Sequence, residues 1–209
     1  MSDILLILFL ITLIYIGVAN RLFTYISVLA IQGILLFGIA FIELIEINTL
    51  NLIFVLLETI VFKTIAIPFF MRRVIKRNNI KREAEPFISN FVSVVIITAI
   101  ILSSFLLSNT LHDKHLQKMF FVVAISALFT GMYIIASRRK VITHVMGFLI
   151  IENGVFILSL AVGNEMPMLV NTGILLDIFV SVLLLGIFVN KIGDVIKDHD
   201  VDFLTNLKD

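Results

Sequence analysis

The chain has no cysteine among its 209 residues, which removes disulfides, thiolate zinc sites, cysteine-held iron–sulfur clusters and thiol nucleophiles in one step. Any redox centre that works with it must belong to another polypeptide. Charge is scarce as well. Charged residues make up 15% of the chain and hydrophobic residues 60%, with a mean hydropathy of +1.12, well beyond the balance of a soluble domain. The solvent for most of this sequence is therefore lipid. The net charge of +1 carries no signal, because the charges cluster along the chain, and nothing argues for a nucleic-acid partner. A phosphate-binding glycine loop and a nucleophile motif are both missing. His112 and His115 stand three apart without further ligands nearby, so no metal site is expected. The tail Asp198, His199, Asp200, Asp202 lacks the glycine and terminal glutamate of a calcium loop and reads as a solvated terminus.

What is present is a series of apolar runs of the length a helix needs to cross roughly 30 Å of hydrocarbon. They predict about seven transmembrane helices, near Ile4 to Ala19, Leu22 to Ile45, Leu50 to Met71, Phe87 to Leu107, Met119 to Ala136, Val141 to Gly163 and Met168 to Asn190. The first is short, but it has no basic leader before it and no small-residue cleavage site before Arg21, so it reads as a retained helix. Lysine and arginine fall on alternate connections: Arg21, then the run from Arg72 to Arg82, then Arg138 to Lys140, then Lys191, Lys197 and Lys208. Only Lys114 and Lys118 land on the other face. The positive-inside rule then places the N-terminus outside and the C-terminus inside. The stretch from Arg72 to Glu85 is basic and helix-compatible. It serves as a topology signal, or it rests on anionic headgroups or docks a soluble partner.

A repeat appears when the third and last spans are aligned. Leu56, Leu57, Glu58, Thr59, Ile60, Val61 matches Leu175, Leu176, Asp177, Ile178, Phe179, Val180, with the acids in register. Gln32 and Gly33 resemble Asn153 and Gly154 at an offset two residues longer. The expected organisation is two parallel three-helix units, residues 1–85 and 112–209, joined by a linking helix in 86–111.

Glu58, Glu152 and Asp177 each fall near the middle of a span. An acid there costs roughly 2.5 to 3.5 kcal/mol on insertion scales, so such residues mark an ion path, a proton relay or a buried pair. Lys63 lies in the same layer. On a regular α-helix it would be about 140° around from Glu58 and roughly 7.5 Å further along, which leaves it needing a partner elsewhere. Glu152, Asp177 or an acid of a neighbouring subunit would serve. Burial raises a carboxylate's proton affinity and lowers a lysine's, while each draws the other back towards its charged form, so a proton moves easily near the balance point. Gln32, Asn153, Thr64, Ser159 and His144 are polar helpers for such a relay. The competing structural reading has the ionisable groups only bridging helices. Pro68 is expected to free a backbone carbonyl near Thr64 and to kink the helix just past Lys63.

Two stretches carry a family resemblance. Arg138, Arg139, Lys140, then Gly147, Glu152, Asn153, Gly154, then Leu175, Leu176, Asp177 and the run to Lys191 resemble the three-helix subunit K of respiratory complex I, which is related to a small membrane component of multisubunit cation/proton antiporters. With Asn20, Arg21, Leu22, Phe23, Gln32, Gly33, Glu58 and Lys63 added, nearly the whole chain is similar to component E of hydrogenase-4. That is a membrane subunit of energy-converting nickel–iron hydrogenases and formate hydrogenlyase-type complexes. The resemblance implies a non-catalytic, cofactor-free subunit in the cytoplasmic membrane of a prokaryote. Its partners would be antiporter-like membrane subunits and, indirectly, iron–sulfur and nickel–iron subunits. It also implies a proton path through Glu58, Lys63, Glu152 and Asp177. Asp177 falls where the subunit K family has its last-helix glutamate, whereas the family's middle-helix glutamate corresponds to Leu149, one turn before Glu152. An i, i+3 shift keeps a similar helix face. A scaffold that conducts nothing and a cation/proton antiporter subunit are the alternatives.

Overall fold

The computed structural model describes residues 1–44, 53, 55–57, 59–77, 88–111, 117–138 and 141–161, and among these the regular structure is entirely helical, with no strand. Helix α1 spans Ser2–Val18 and α2 Leu22–Leu44. A π-helical segment, Thr59–Ala66, runs directly into α3, Ile67–Arg77. Then come α4, Asn90–Thr110, α5, Lys118–Ser137, and α6, Val141–Ala161. Among the described residues four stretches are long and apolar enough to cross a bilayer: Leu22–Glu43, Asn90–Thr110, Lys118–Ser137 and Ile142–Ala161. Helix α1, at 17 residues, is shorter. The expected last span, and Asp177 with it, lies outside the described residues, as do Glu58, His112 and His115.

Helices α1, α2, α4, α5 and α6 are apolar on nearly every side, so packing and not amphipathic pattern decides which stripe faces inward. Helix α1 buries Leu6, Phe9, Leu13 and Ile16 at 3–4-residue spacing and leaves Ile4, Ile7, Leu8 and Ile11 exposed. Helix α4 goes further. It buries Ser93, Ile97, Ser104 and Ser108 along one stripe while presenting Phe91, Leu102, Phe105 and Leu106 outward, the reverse of a soluble helix. Small hydroxyl residues inside and large hydrocarbons outside suit a helix whose surroundings are lipid. Some inward hydroxyls bond their own helices, as with Ser104 to the Ile100 carbonyl at 2.8 Å and Ser126 to that of Val122 at 2.7 Å, whereas the Ser108 hydroxyl has no partner among the described residues.

Helices α1 and α2 pack together, and α1 also rests on α4 and α5. Helix α2 contacts α6, the π-helical segment and α3. The most extensive interface joins α5 to α6. It closes through glycine: a Cβ at Gly131 would lie 2.6 Å from the Gly147 carbonyl oxygen, and one at Gly147 would lie 2.9 Å from that of Gly131. Two backbones at this separation leave no room for a side chain. The Gln117 N–H donates to the Ala161 carbonyl at 3.0 Å and satisfies one of the acceptors left open where α6 ends.

The third helix departs from expectation in kind. Where a plain α-helix with a kink at Pro68 was expected, the turns from Thr59 to Ala66 are widened to π geometry, and regular helix resumes at Ile67 and continues to Arg77. Pro68 has no N–H to give to the Thr64 carbonyl of an α-turn or to the Lys63 carbonyl of a π-turn, so the ladder is weakened at the junction. The Thr64 hydroxyl donates to the Thr59 carbonyl, five residues back, at 3.0 Å, which fits the wider turn.

Gly131→Val should lower stability by about 1–3 kcal/mol through overpacking, read as a lower unfolding midpoint of the purified protein in detergent. Met132→Leu, on the exposed face of the same helix, should leave that midpoint within error.

Candidate functional site

Two ionisable groups from different helices meet at one place. Lys63, on the π-helical segment, and Glu152, on α6, bring Nζ and Oε1 to 2.6 Å, with each side chain 5% exposed. The ammonium lies close to Oε1 but off the line of a directed hydrogen bond, so the contact is charge pairing. On its other side, Nζ sits 4.6 Å from the centre of the Phe156 ring, whose negative face favours a desolvated cation. Glu152 and Phe156 are one turn apart, so α6 alone supplies both a carboxylate and a ring to the same ammonium.

Asn153, next along α6, extends the site sideways. Its Nδ2 donates to Gln32 Oε1 on α2 at 3.1 Å, and Gln32 Nε2 donates to Thr12 Oγ1 on α1 at 2.9 Å. The Thr12 hydroxyl in turn donates to the Phe9 carbonyl at 2.6 Å. Thr12 and Gln32 each lie ten residues into their helices, about 15 Å, and Glu152 lies eleven into α6, about 16 Å. All three depths are near half of a bilayer's roughly 30 Å of hydrocarbon, so the polar groups form a lateral row and not a column along the helix axes.

Two features hold the row in place. Gly33, beside Gln32, lets the π-helical backbone approach: a Cβ there would lie 2.7 Å from Thr64 Oγ1 and 3.1 Å from the Lys63 carbonyl carbon. Leu29, Lys63, Ile67, Leu149, Glu152 and Asn153 line a cavity of about 10 Å³, close to the space one water needs beside three polar groups.

Of the partners open to Lys63 on sequence, Glu152 is the one found beside it, while Asp177 lies outside the described residues. Gln32 and Asn153 join the site, whereas the other candidate helpers do not. Thr64 is bonded within the π-helical segment, and the Ser159 hydroxyl donates to the Phe156 carbonyl at 2.6 Å. His144 Nε2 lies 2.7 Å from the Arg138 carbonyl oxygen, eight residues and about 12 Å from Glu152, so it belongs to the helix end and not to the row. Leu149 lines the same cavity as Glu152, as the i, i+3 spacing anticipates. Sequence reasoning missed Thr12 and Phe156. Thr12 had a signal, since between Ile4 and Ala19 it is the only hydroxyl residue besides Tyr15 and lies at the depth of Gln32. Phe156 had one too, as the aromatic residue at i+4 from the acid. Among the described residues no three His, Asp or Glu side chains come together as a metal site.

Comparison with known proteins places the chain beside an uncharacterised protein of Mycobacterium tuberculosis, Rv0085, to which it is similar with 23% identity over 189 residues, covering 88% of this chain and 85% of that one. No protein-family model matches the chain. No solved structure matches it either.

Removing one member of a buried ion pair strands the other. Lys63→Met should therefore cost about 3–5 kcal/mol, while the double variant Lys63→Met/Glu152→Leu should recover most of that loss, because an apolar pair of similar volume is often neutral. Denaturant unfolding of the three proteins in detergent checks this.

Proposed function

We propose that this chain is a proton-translocating, non-redox subunit of a complex I-related membrane complex of the energy-converting hydrogenase or formate hydrogenlyase type. In this reading it has seven spans, with the N-terminus outside and the C-terminus inside a prokaryotic cytoplasmic membrane. Its neighbours are antiporter-like membrane subunits, with iron–sulfur and nickel–iron subunits beyond them. The observation that carries the proposal is the buried Lys63–Glu152 pair continued by Asn153, Gln32 and Thr12. A buried ion pair adds little stability by itself, so its placement among apolar residues favours a working role. The family resemblance in the sequence supplies the type of complex.

The chemistry follows from the pairing. A proton arriving at Glu152 cancels the carboxylate's charge and leaves the ammonium beside the Phe156 ring, and Lys63 then hands a proton onward. The cavity beside both side chains lets one water bridge them. Glu58 and Asp177, outside the described residues, are the further acids of the proposed path.

Glu152→Gln and Lys63→Met should each lower proton translocation by the assembled complex about 100-fold, the size expected for loss of a proton-transfer group. Electron transfer to an artificial acceptor should be spared. The pair Glu58→Ala/Asp177→Ala should behave the same way. Vesicle proton uptake measured alongside dye-linked turnover checks both. Unchanged pumping would overturn the proposal, and pumping intact per assembled complex with fewer complexes formed would identify a scaffold instead. Leu149→Glu/Glu152→Leu, which moves the acid one turn while keeping it on the cavity, should restore part of the flux that Glu152→Leu loses.

A further inference from the structure

The outward face of the third helix has an order along its axis that the proton path does not use. Ile65 and Phe69 are 58% and 64% exposed, and the next positions on the same face, Arg72, Arg73 and Lys76, are exposed as well. From Phe69 these stand at i+3, i+4 and i+7, one continuous helical stripe. The opposite stripe, Met71, Val74 and Ile75, is buried. The helix is therefore seated on α2 through one face. It presents the other as hydrocarbon followed by three cations.

Depth fixes what meets each part. Arg72 is nine residues beyond Lys63, or about 13 Å along the axis, close to the half-thickness of a bilayer's hydrocarbon measured from the midplane. Phe69 is about 9 Å from the same level, among acyl chains. Three like charges at i, i+1 and i+4 repel one another, and none of them forms an ion pair with an acid of the described residues. The sequence from Arg72 to Glu85 holds six cations against Glu83 and Glu85, so acids within this stretch cannot neutralise it.

We propose that this face is a binding site for an anionic phospholipid of the cytoplasmic leaflet. Phe69 and Ile65 lie along an acyl chain, and Arg72, Arg73 and Lys76 gather the phosphate and its negative headgroup. Arginine suits this position because its planar fork bonds two phosphate oxygens at once. The proposal needs the chain to span a bilayer but does not need it to move protons, so failure of one leaves the other standing.

The full-length protein, purified in detergent and incubated with equimolar phosphatidylglycerol and phosphatidylcholine of identical acyl chains, is examined by native mass spectrometry. Near the surface each cation contributes roughly fivefold, so the wild type should retain phosphatidylglycerol over phosphatidylcholine by about tenfold or more. Arg72→Gln/Arg73→Gln/Lys76→Gln should bring the two within about twofold, and Arg72→Lys/Arg73→Lys should keep a clear preference because the charge survives. Equal retention by the wild type would overturn the proposal and leave the cations as a topology signal or as a face for an acidic protein. Undiminished preference in the triple glutamine variant would also overturn it, since the charge would then act from elsewhere.

Discussion

The contact between Lys63 and Glu152 sets conditions that much of the surrounding structure meets. An ammonium and a carboxylate, each almost wholly removed from solvent, are tolerable only as a pair, and only if helices from different parts of the chain deliver them to the same point. The π-helical segment delivers the lysine and α6 the glutamate. Helix α2 lies against both, with Gly33 giving the lysine's backbone room and Gln32 engaging the residue after the glutamate. A bulkier residue at 33 would move the lysine-bearing backbone away from α2 and with it the charge that keeps Glu152 company.

The π geometry of the third helix is tied to this requirement. Widened turns change the angle at which successive side chains leave the helix, so the phase worked out for a regular α-helix between Glu58 and Lys63 does not transfer across Thr59–Ala66. Such turns are less favourable than α-helix. They persist here beside a proline that cannot donate to the ladder and a threonine whose hydroxyl reaches the carbonyl five residues back. The proline alone predicts disturbance. The form of that disturbance depends on what the helix packs against, which local sequence does not record.

That distinction separates what was legible in the sequence from what was not. The all-helical class and the four long apolar helices follow from run length and composition, because lipid leaves a spanning backbone few alternatives. Lys63 and Glu152 stood out as ionisable groups in apolar surroundings, and Gln32 and Asn153 as polar neighbours at matching depth. Their connection was not legible, since apolar helices carry no stripe that says which faces meet. Serine on α4 and threonine on α1 look alike on the page, yet the Ser104 hydroxyl turns back to its own helix while that of Thr12 accepts from another. His144 stood out for its chemistry but bonds the backbone at the helix end.

The asymmetry between the two units of the proposed repeat then has a physical reason. Gln32 and Asn153, matched in sequence at an offset of 121, hydrogen-bond each other, so α2 and α6 meet at these positions. The residue matched to Glu152 at that offset is Ile31, which is 48% exposed and points away from the contact. An acid at position 31 would stand on that exposed face of α2 and would not join the buried row. The π-helical segment instead contributes Lys63, so the charge that Glu152 needs arrives from a helix far away in sequence. The pair therefore joins α6 to the π-helical segment electrostatically, where the two amides join α6 to α2 by hydrogen bonding. A change in the charge of Glu152 would be felt first at Lys63, across the contact between α6 and the π-helical segment.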